Sequence, residues 1–292
     1  MKRIATFSIV AYDKDENAWG IAVASKFPAV GAVVPWARAG EGAVATQSYA
    51  NTTYGPLGLE LMASGVSAEE ALTQLVNDDE DKKLRQAGFV DANGNAATFT
   101  GEDCMEWAGG LVGEGFCVQG NILTGPEVIE QMADAYRNSD QLEFPERLVK
   151  ALSAGDQAGG DRRGRQSAAI LVVKPEGGYA GFNDRWVDYR VDDHESPIPR
   201  LADLLDLHRL YFGESGTEDR LEIKGETAQK LNEIMMRLGY LPKDLSAIPD
   251  EDLQAALRKF IGNENFEDRT DFESGLIDRP VYEYLIKKYY ER

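Results

Sequence analysis

The sequence predicts an α+β protein: two packed antiparallel sheets between helices, followed by a small all-α domain of three helices. Three observations carry this prediction. β-Rich runs come in pairs around tight turns, at residues 6–12 with 18–26, 85–91 with 96–100, and 167–173 with 177–182. Helical runs, also paired, separate those strand pairs. Beyond residue 218 the chain reads as amphipathic helices alone.

Taken in order, Thr6-Phe-Ser-Ile-Val-Ala-Tyr12 and Ala18-Trp-Gly-Ile-Ala-Val-Ala-Ser-Lys26 flank the acidic turn Asp13-Lys-Asp-Glu-Asn17. Both runs are too apolar to have a wet face, so this hairpin is expected to be covered on both sides. Residues 26–38 form an apolar loop and strand, with Pro28, Gly31 and Pro35 bringing backbone close to a neighbour. Residues 40–48 give another buried strand that ends in Gln47 and Ser48. A turn at residues 51–56 opens a helix through Leu57, Leu59, Leu61 and Met62. Ser67-Ala-Glu-Glu70 is a capping box for a second helix that buries Ala71, Leu72, Leu75 and Val76.

The hairpin of residues 85–100 turns on Asn93-Gly94. Phe116-Cys-Val-Gln-Gly-Asn121 is a short strand leading into a helix started by Pro126, and a further helix runs from Pro145 to Ala154. Residues 186–191 form the last strand of the main domain, and residues 197–210 a helix. The main domain is expected over residues 1–212 and the helical domain over 218–292, joined by the linker from Phe212 to Glu218.

The 31 Lys and Arg against 50 Asp and Glu leave a formal charge of −19. Such a surface repels phosphate backbones and anionic lipid, so no nucleic acid and no membrane are expected as partners. Cys104 and Cys117 lie in no Cys or His cluster, so neither a disulfide framework nor structural zinc is expected. No long apolar core follows Lys2 and Arg3, and a cytoplasmic location is the default expectation.

Two polar runs stand out for chemistry. Gly159-Gly-Asp161-Arg162-Arg163-Gly164-Arg165 puts three arginines within four positions of an acidic chain. Guanidinium forks suit carboxylate or phosphate, while the flanking glycines admit a ligand to the backbone; salt bridges to the acidic surface are the plainer alternative. Asn183, Asp184 and Asp193, with His194 beside them, form a second cluster that fits turn caps and ion pairs better than a cation, so no metal is expected. No nucleophile elbow, phosphate-binding loop or dinucleotide fingerprint is present, and two histidines give a Ser-His-Asp system few ways to form. What remains for nucleophilic work is a hydroxyl whose base is an amine.

These runs, with Val23-Ala-Ser-Lys-Phe-Pro-Ala-Val-Gly31, Gln119-Gly-Asn-Ile-Leu123 and Val191-Asp-Asp-His194, resemble the domain-of-unknown-function 1028 family over residues 4–210. The tail, through its helical pattern and Arg237-Leu-Gly-Tyr240, resembles a peptidoglycan-binding-like domain. The first resemblance implies a four-layer αββα sandwich of the N-terminal nucleophile (Ntn) hydrolase type. It implies Thr6 as nucleophile and Ser25 where those enzymes place an acidic residue, with Lys26 or Arg38 standing in for their pKa-lowering lysine. Ser8 is a second hydroxyl on the same strand face as Thr6. An N-terminal nucleophile needs a free amine, so residues 1–5 would have to be removed.

Two readings stay open. In the first, the chain is an amidohydrolase acting on a small amide or ureide with an anionic group. Thr6 attacks; Asn121 and the Gly120 amide stabilise the oxyanion; and substrate is held by the loop residues Asp161, Arg162, Arg163 and Arg165, with Gln119, Asn183, Asp184 and Asp193 also facing it. No cofactor is expected. In the second, the domain is a non-catalytic binder of small anions, tethered to helices that recognise cell-wall glycan or protein. A homodimer is compatible with the Ntn-type sandwich, though no single residue carries that expectation.

Overall fold

A computed structural model of the protein describes residues 6–213, 215–246 and 248–291. These contain eight α-helices and several antiparallel sheets, in two compact units. The units part inside a helix, between Leu205 and Asp206, rather than in the linker expected after Phe212. Leu201 and Leu205 of that helix join the core of the first unit, while Leu210 and Tyr211 join that of the second.

The first unit runs β1 (Thr6–Asp13), β2 (Ala18–Ser25), β3 (Pro35–Arg38), β4 (Gly42–Ser48), α1 (Tyr54–Ala63) and α2 (Ala68–Asn77). It continues with β5 (Arg85–Asp91), β6 (Ala96–Thr100), β7 (Gly109–Gly113), β8 (Phe116–Asn121), α3 (Glu127–Arg137), α4 (Phe144–Gln157), β9 (Ser167–Val173), β10 (Arg185–Val191) and α5 (Pro197–Phe212). One sheet has six strands in the order β10-β9-β2-β1-β8-β7, the other four in the order β3-β4-β5-β6. The capping box is present: the Glu70 amide donates to the Ser67 hydroxyl, and the Glu70 carboxylate accepts from the Ser67 amide.

Three apolar clusters fix the sheet faces. Phe7, Ile9, Ala22, Val118 and Ile170 meet Val128, Met132, Leu148 and Leu152 of α3 and α4 on one face of the larger sheet. Its other face gives Val10, Ile21, Val23 and Cys117, which meet Ala43, Ala45 and Val90 of the smaller sheet. The far face of that sheet, with Val44, Ala87 and Phe89, is covered by Leu59, Leu72 and Val76 of α1 and α2. The Trp19 indole N–H also donates to the Asp91 carbonyl at 3.0 Å, tying the two sheets together.

The structure corrects the sequence reading at three places. Residues 177–182 are a turn, not a strand, with left-handed backbone at Glu176, Ala180 and Gly181; Tyr179 and Phe182 are 77% and 88% exposed, so this segment has no buried face. β10 takes the place beside β9 instead. β7 has three glycines in five residues and gives no strand signal, yet its whole length pairs with residues 116–120 of β8.

The third correction is that the second unit is not all-α. Its helices α6 (Gly225–Arg237), α7 (Asp250–Asn263) and α8 (Arg279–Tyr289) accompany a three-stranded sheet of β11 (Arg220–Glu222), β12 (Thr270–Asp271) and β13 (Leu276–Asp278). Such short strands carry too little periodicity to be read. Leu231, Ile234, Phe260, Phe266 and Leu285 form the core of this unit. Beside it the buried Arg269 pairs with Asp278, donates to the carbonyls of Arg209 and Gly213 and to Ser215, and so clasps the end of α5.

One buried ion pair holds the first unit at the start of β5. Arg85 Nε donates to Asp79 Oδ2 at 2.9 Å, with 7% and 8% of the two side chains exposed. Burial alone would raise the Asp79 carboxyl, but hydrogen bonds from Arg85, Asn51, the Asp81 amide and Tyr54 outweigh it and hold the group well below the carboxylate range. With the folded value depressed, this stabilisation is present above about pH 4, the unfolded Asp value, and fades as pH falls below it. Arg85→Met should lower the urea-unfolding free energy by about 3 kcal/mol at pH 7, because it strands a buried carboxylate. A loss no larger than that of an exposed Arg→Met control would refute this role.

Candidate functional site

The space between the sheets is apolar at one end and polar at the other. On β1, alternation turns Val10, Ser8 and Thr6 toward the smaller sheet, and this face changes from apolar to hydroxyl on approaching the strand's start. Register then sets a transverse polar row. Thr6 lies opposite Ser25 on β2 and Asn121 on β8, and Ser25 lies opposite Ser167 on β9. All four are at most 2% exposed, and cross-strand neighbours stand within side-chain reach. The Thr6 hydroxyl donates to Ser25 Oγ at 3.3 Å. At the apolar end, by contrast, burial pushes the Cys117 thiol up to about 12.

A second tier braces this row. Ser8 Oγ donates to Gln47 Oε1 and accepts from Gln119 Nε2, both at 2.7 Å. Gln47 Nε2 donates to Gln86 Oε1 at 2.8 Å, and Gln86 Nε2 to the Gly120 carbonyl at 2.7 Å. Asn121 Nδ2 also donates to Gln86 Oε1, at 2.9 Å. Buried amides are costly unless bonded, and these bond one another across the two sheets. Gly88 makes the space: a Cβ there would sit 2.2 Å from Gln119 Oε1.

The arginine run folds over the same end of β2 and β9. Asp161, with 2% of its side chain exposed, accepts from the Lys26 amide at 2.8 Å and from the Arg163 guanidinium at 2.9 Å. Arg165 Nε donates to Asp156 at 2.7 Å, and that carboxylate pushes the Arg165 guanidinium further above its ordinary value. The Lys26 ammonium donates to the Arg165 carbonyl at 3.2 Å. Ser167 Oγ donates to the Phe27 carbonyl and accepts from the Val30 amide. A narrow hollow lined by Phe7, Ser25, Asp161, Arg165 and Ser167 adjoins an open cleft of about 350 Å³ that carries Arg162.

Residues 6–201 match the "Family of unknown function (DUF1028)". The chain belongs to the DUF1028 family. Residues 211–285 match a second family, described as "Putative peptidoglycan binding domain". Among solved structures, the chain is similar to a crystal structure of protein SPO2555 from Silicibacter pomeroyi, a DUF1028 protein. Sequence identity is 31%, the match covers 73% of this chain and 88% of that one, and the TM-score is 0.65. No curated protein matches.

In this DUF1028 chain several expected site residues lie elsewhere. Arg38 ends β3 opposite Gly42, far along the smaller sheet from Gln47, and pairs with Glu41. Asn183 and Asp184 belong to the turn before β10, at the opposite end of β9 from Ser167, where they accept from the Arg185 and Glu176 amides. Asp193 does lie on the Ser167 side, accepting from Gln166 Nε2 at 3.1 Å. Among the described residues no group of three or more His, Cys, Asp or Glu gathers as a metal site would require, and no helix is long and apolar enough to cross a membrane.

Gln47, Gln86 and Ser167 were not singled out from sequence. Their signal was present: the inward positions of β4 read Ala43, Ala45, Gln47 and those of β5 read Val90, Gly88, Gln86, turning polar at the same end. Gly88→Ala should displace the Gln119 amide and cost about 1–3 kcal/mol in chemical unfolding. Combined with Gln119→Ala, which removes the clashing group, it should cost clearly less than the sum of the single changes. Strict additivity would show that the two residues do not meet.

Proposed function

We propose that the first unit is an Ntn-type amidohydrolase, its two sheets and flanking helix pairs forming the four-layer αββα sandwich of that class. The observation that carries this reading is the buried row Ser167, Ser25, Thr6, Asn121, with Thr6 at the head of a central strand. Hydrolysis of the bond between Ala5 and Thr6 gives Thr6 a free α-amine; Ala5 itself lies outside the described residues. The amine takes the Thr6 hydroxyl proton as Oγ attacks an amide carbonyl carbon. Ser25 Oγ aims the hydroxyl. Asn121 Nδ2 spends one N–H on Gln86, and its second N–H, with the Gly120 amide, faces the developing oxyanion. The α-ammonium returns its proton to the leaving nitrogen, and water then hydrolyses the Thr6 ester.

Of the three clustered arginines, Arg163 and Arg165 are committed to Asp161 and Asp156. Arg162 is the one that serves a substrate anion. The second unit, through its family likeness, is assigned to glycan recognition in the same proposal.

A second reading, a non-catalytic binder of small anions, is favoured by the completeness of the interior network. Among the described residues the only buried side-chain polar atoms without a partner are Arg147 Nε and Thr270 Oγ1, both outside this site. Intact mass separates the two. The hydrolase reading requires a mature chain beginning at Thr6, and hydrolysis of small amides lost by at least about a thousandfold in Thr6→Ala at unchanged thermal stability. A chain that retains residues 1–5 and turns over no amide would leave the binding reading standing, while equal turnover by Thr6→Ala would remove Thr6 as the nucleophile.

A further inference from the structure

The open cleft over β2 and β9 has a charge pattern of its own. It is lined by Thr124, Asp156, Asp161, Arg162, Arg165 and Glu195, with Gly159 and Gly164 between them. Two of its three carboxylates are already used. Asp156 holds Arg165, and Asp161 holds Arg163 and the Lys26 amide. One cation, Arg162, and one anion, Glu195, have no ion-pair partner among the described residues.

Both are carried on fixed backbone. The Arg162 amide donates to the Ile122 carbonyl at 3.0 Å, so only its guanidinium is at liberty. Glu195 sits between two pinned neighbours: the His194 amide donates to the Gln166 carbonyl at 2.8 Å, and the Ser196 amide to His194 Nδ1 at 2.9 Å. The floor is kept clear by glycine. A Cβ on Gly159, whose φ is +119°, would stand 2.2 Å from Thr124 Oγ1.

We propose that this cleft binds the head group of a free α-amino acid, with Arg162 taking the α-carboxylate and Glu195 the α-ammonium. A ligand bearing one charge of each sign leaves the cleft neutral. A simple anion would face Glu195 unrelieved, and a simple cation would face Arg162; a dianion would also meet the field of a chain with net charge −19. About 350 Å³ accommodates an amino acid and its side chain. Asp156, Asp161, Gly164 and Arg165 line both the cleft and the hollow beside Ser25, which at about 10 Å³ has room for about one water, so the two are neighbours rather than one continuous space. Resting on the hydrolase reading for the bond that is cut, a ligand whose α-carboxylate and α-ammonium are both free can carry its amide only on the side chain, which makes the substrate an ω-amide of an amino acid: the side-chain amide and water give a carboxylate and ammonia or an amine.

Calorimetry on the full Thr6→Ala chain tests the site without consuming its probes. L-Glutamine, N-acetyl-L-glutamine and the α-amide of L-glutamine present both charges, the carboxylate alone and the ammonium alone. Glutamine should bind at least about tenfold more tightly than either derivative. Glu195→Gln should abolish the preference over the acetylated probe, and Arg162→Gln the preference over the α-amide. Equal binding of the three probes, no saturable binding, or preferences unchanged in both variants would overturn the proposal. Selective binding without hydrolysis by the unsubstituted protein would retain this site and remove the hydrolase reading. Hydrolysis of acetylated and free amides at equal rates would do the reverse.

Discussion

The register of β1 between β2 and β8 is the constraint on which the rest of the molecule depends. Side chains alternate along a strand, so a slip of one residue would turn Thr6 and Ser8 toward α3 and α4 and bring Phe7 and Ile9 between the sheets. Phe7 and Ile9 are 2% and 0% exposed within the helix-covered cluster, and this apolar burial on one face holds the hydroxyls on the other. The polar row is thus positioned by residues that take no part in it.

The second constraint is the cost of polar groups between two sheets. Ser8, Gln47, Gln86, Gln119 and Asn121 meet it by bonding across the interface, so that the smaller sheet contributes Gln47 and Gln86 to the larger sheet's end. Each amide needs its partner at hydrogen-bond distance, which makes the network a ruler for how the sheets align. The apolar half of the same interface tolerates sliding more readily, because dispersion contacts are non-directional. Alignment is therefore specified at the polar end.

Much of this was legible in the sequence, and what was not has physical reasons. The hairpins of β1 with β2 and β5 with β6, the Ser67 capping box and the helices through α4 follow from alternation, turn chemistry and periodicity, which act locally. β7 was hidden because Gly109, Gly110 and Gly113 carry no β-propensity; its pairing with β8 supplies the order. The strands of the second unit, two or three residues each, are shorter than any period can reveal. The arginine run announced itself by composition; Asp161 holds Arg163 locally, two residues away, but that Asp156 of α4 binds Arg165 and the Lys26 amide binds Asp161 depends on a fold-level encounter of the loop with α4 and β2. Gln47 and Gln86 face each other across β4 and β5, but that they meet Ser8 and the Gly120 carbonyl was equally opaque, since this requires one sheet to be stacked on the other.

The loop from Gly159 to Arg165 separates two kinds of residue. Its course is set by Asp161, by the left-handed Gly159, Gly160 and Gly164, and by backbone bonds to Ile122 and Thr124. The Arg162 side chain supports none of these, and a Cβ on Gly164 would meet nothing within 4 Å. The loop's course is thereby insulated from the side chain at position 162. The residue at 162 can therefore be exchanged without unsettling the loop: its chemistry and the architecture beneath it are separately adjustable.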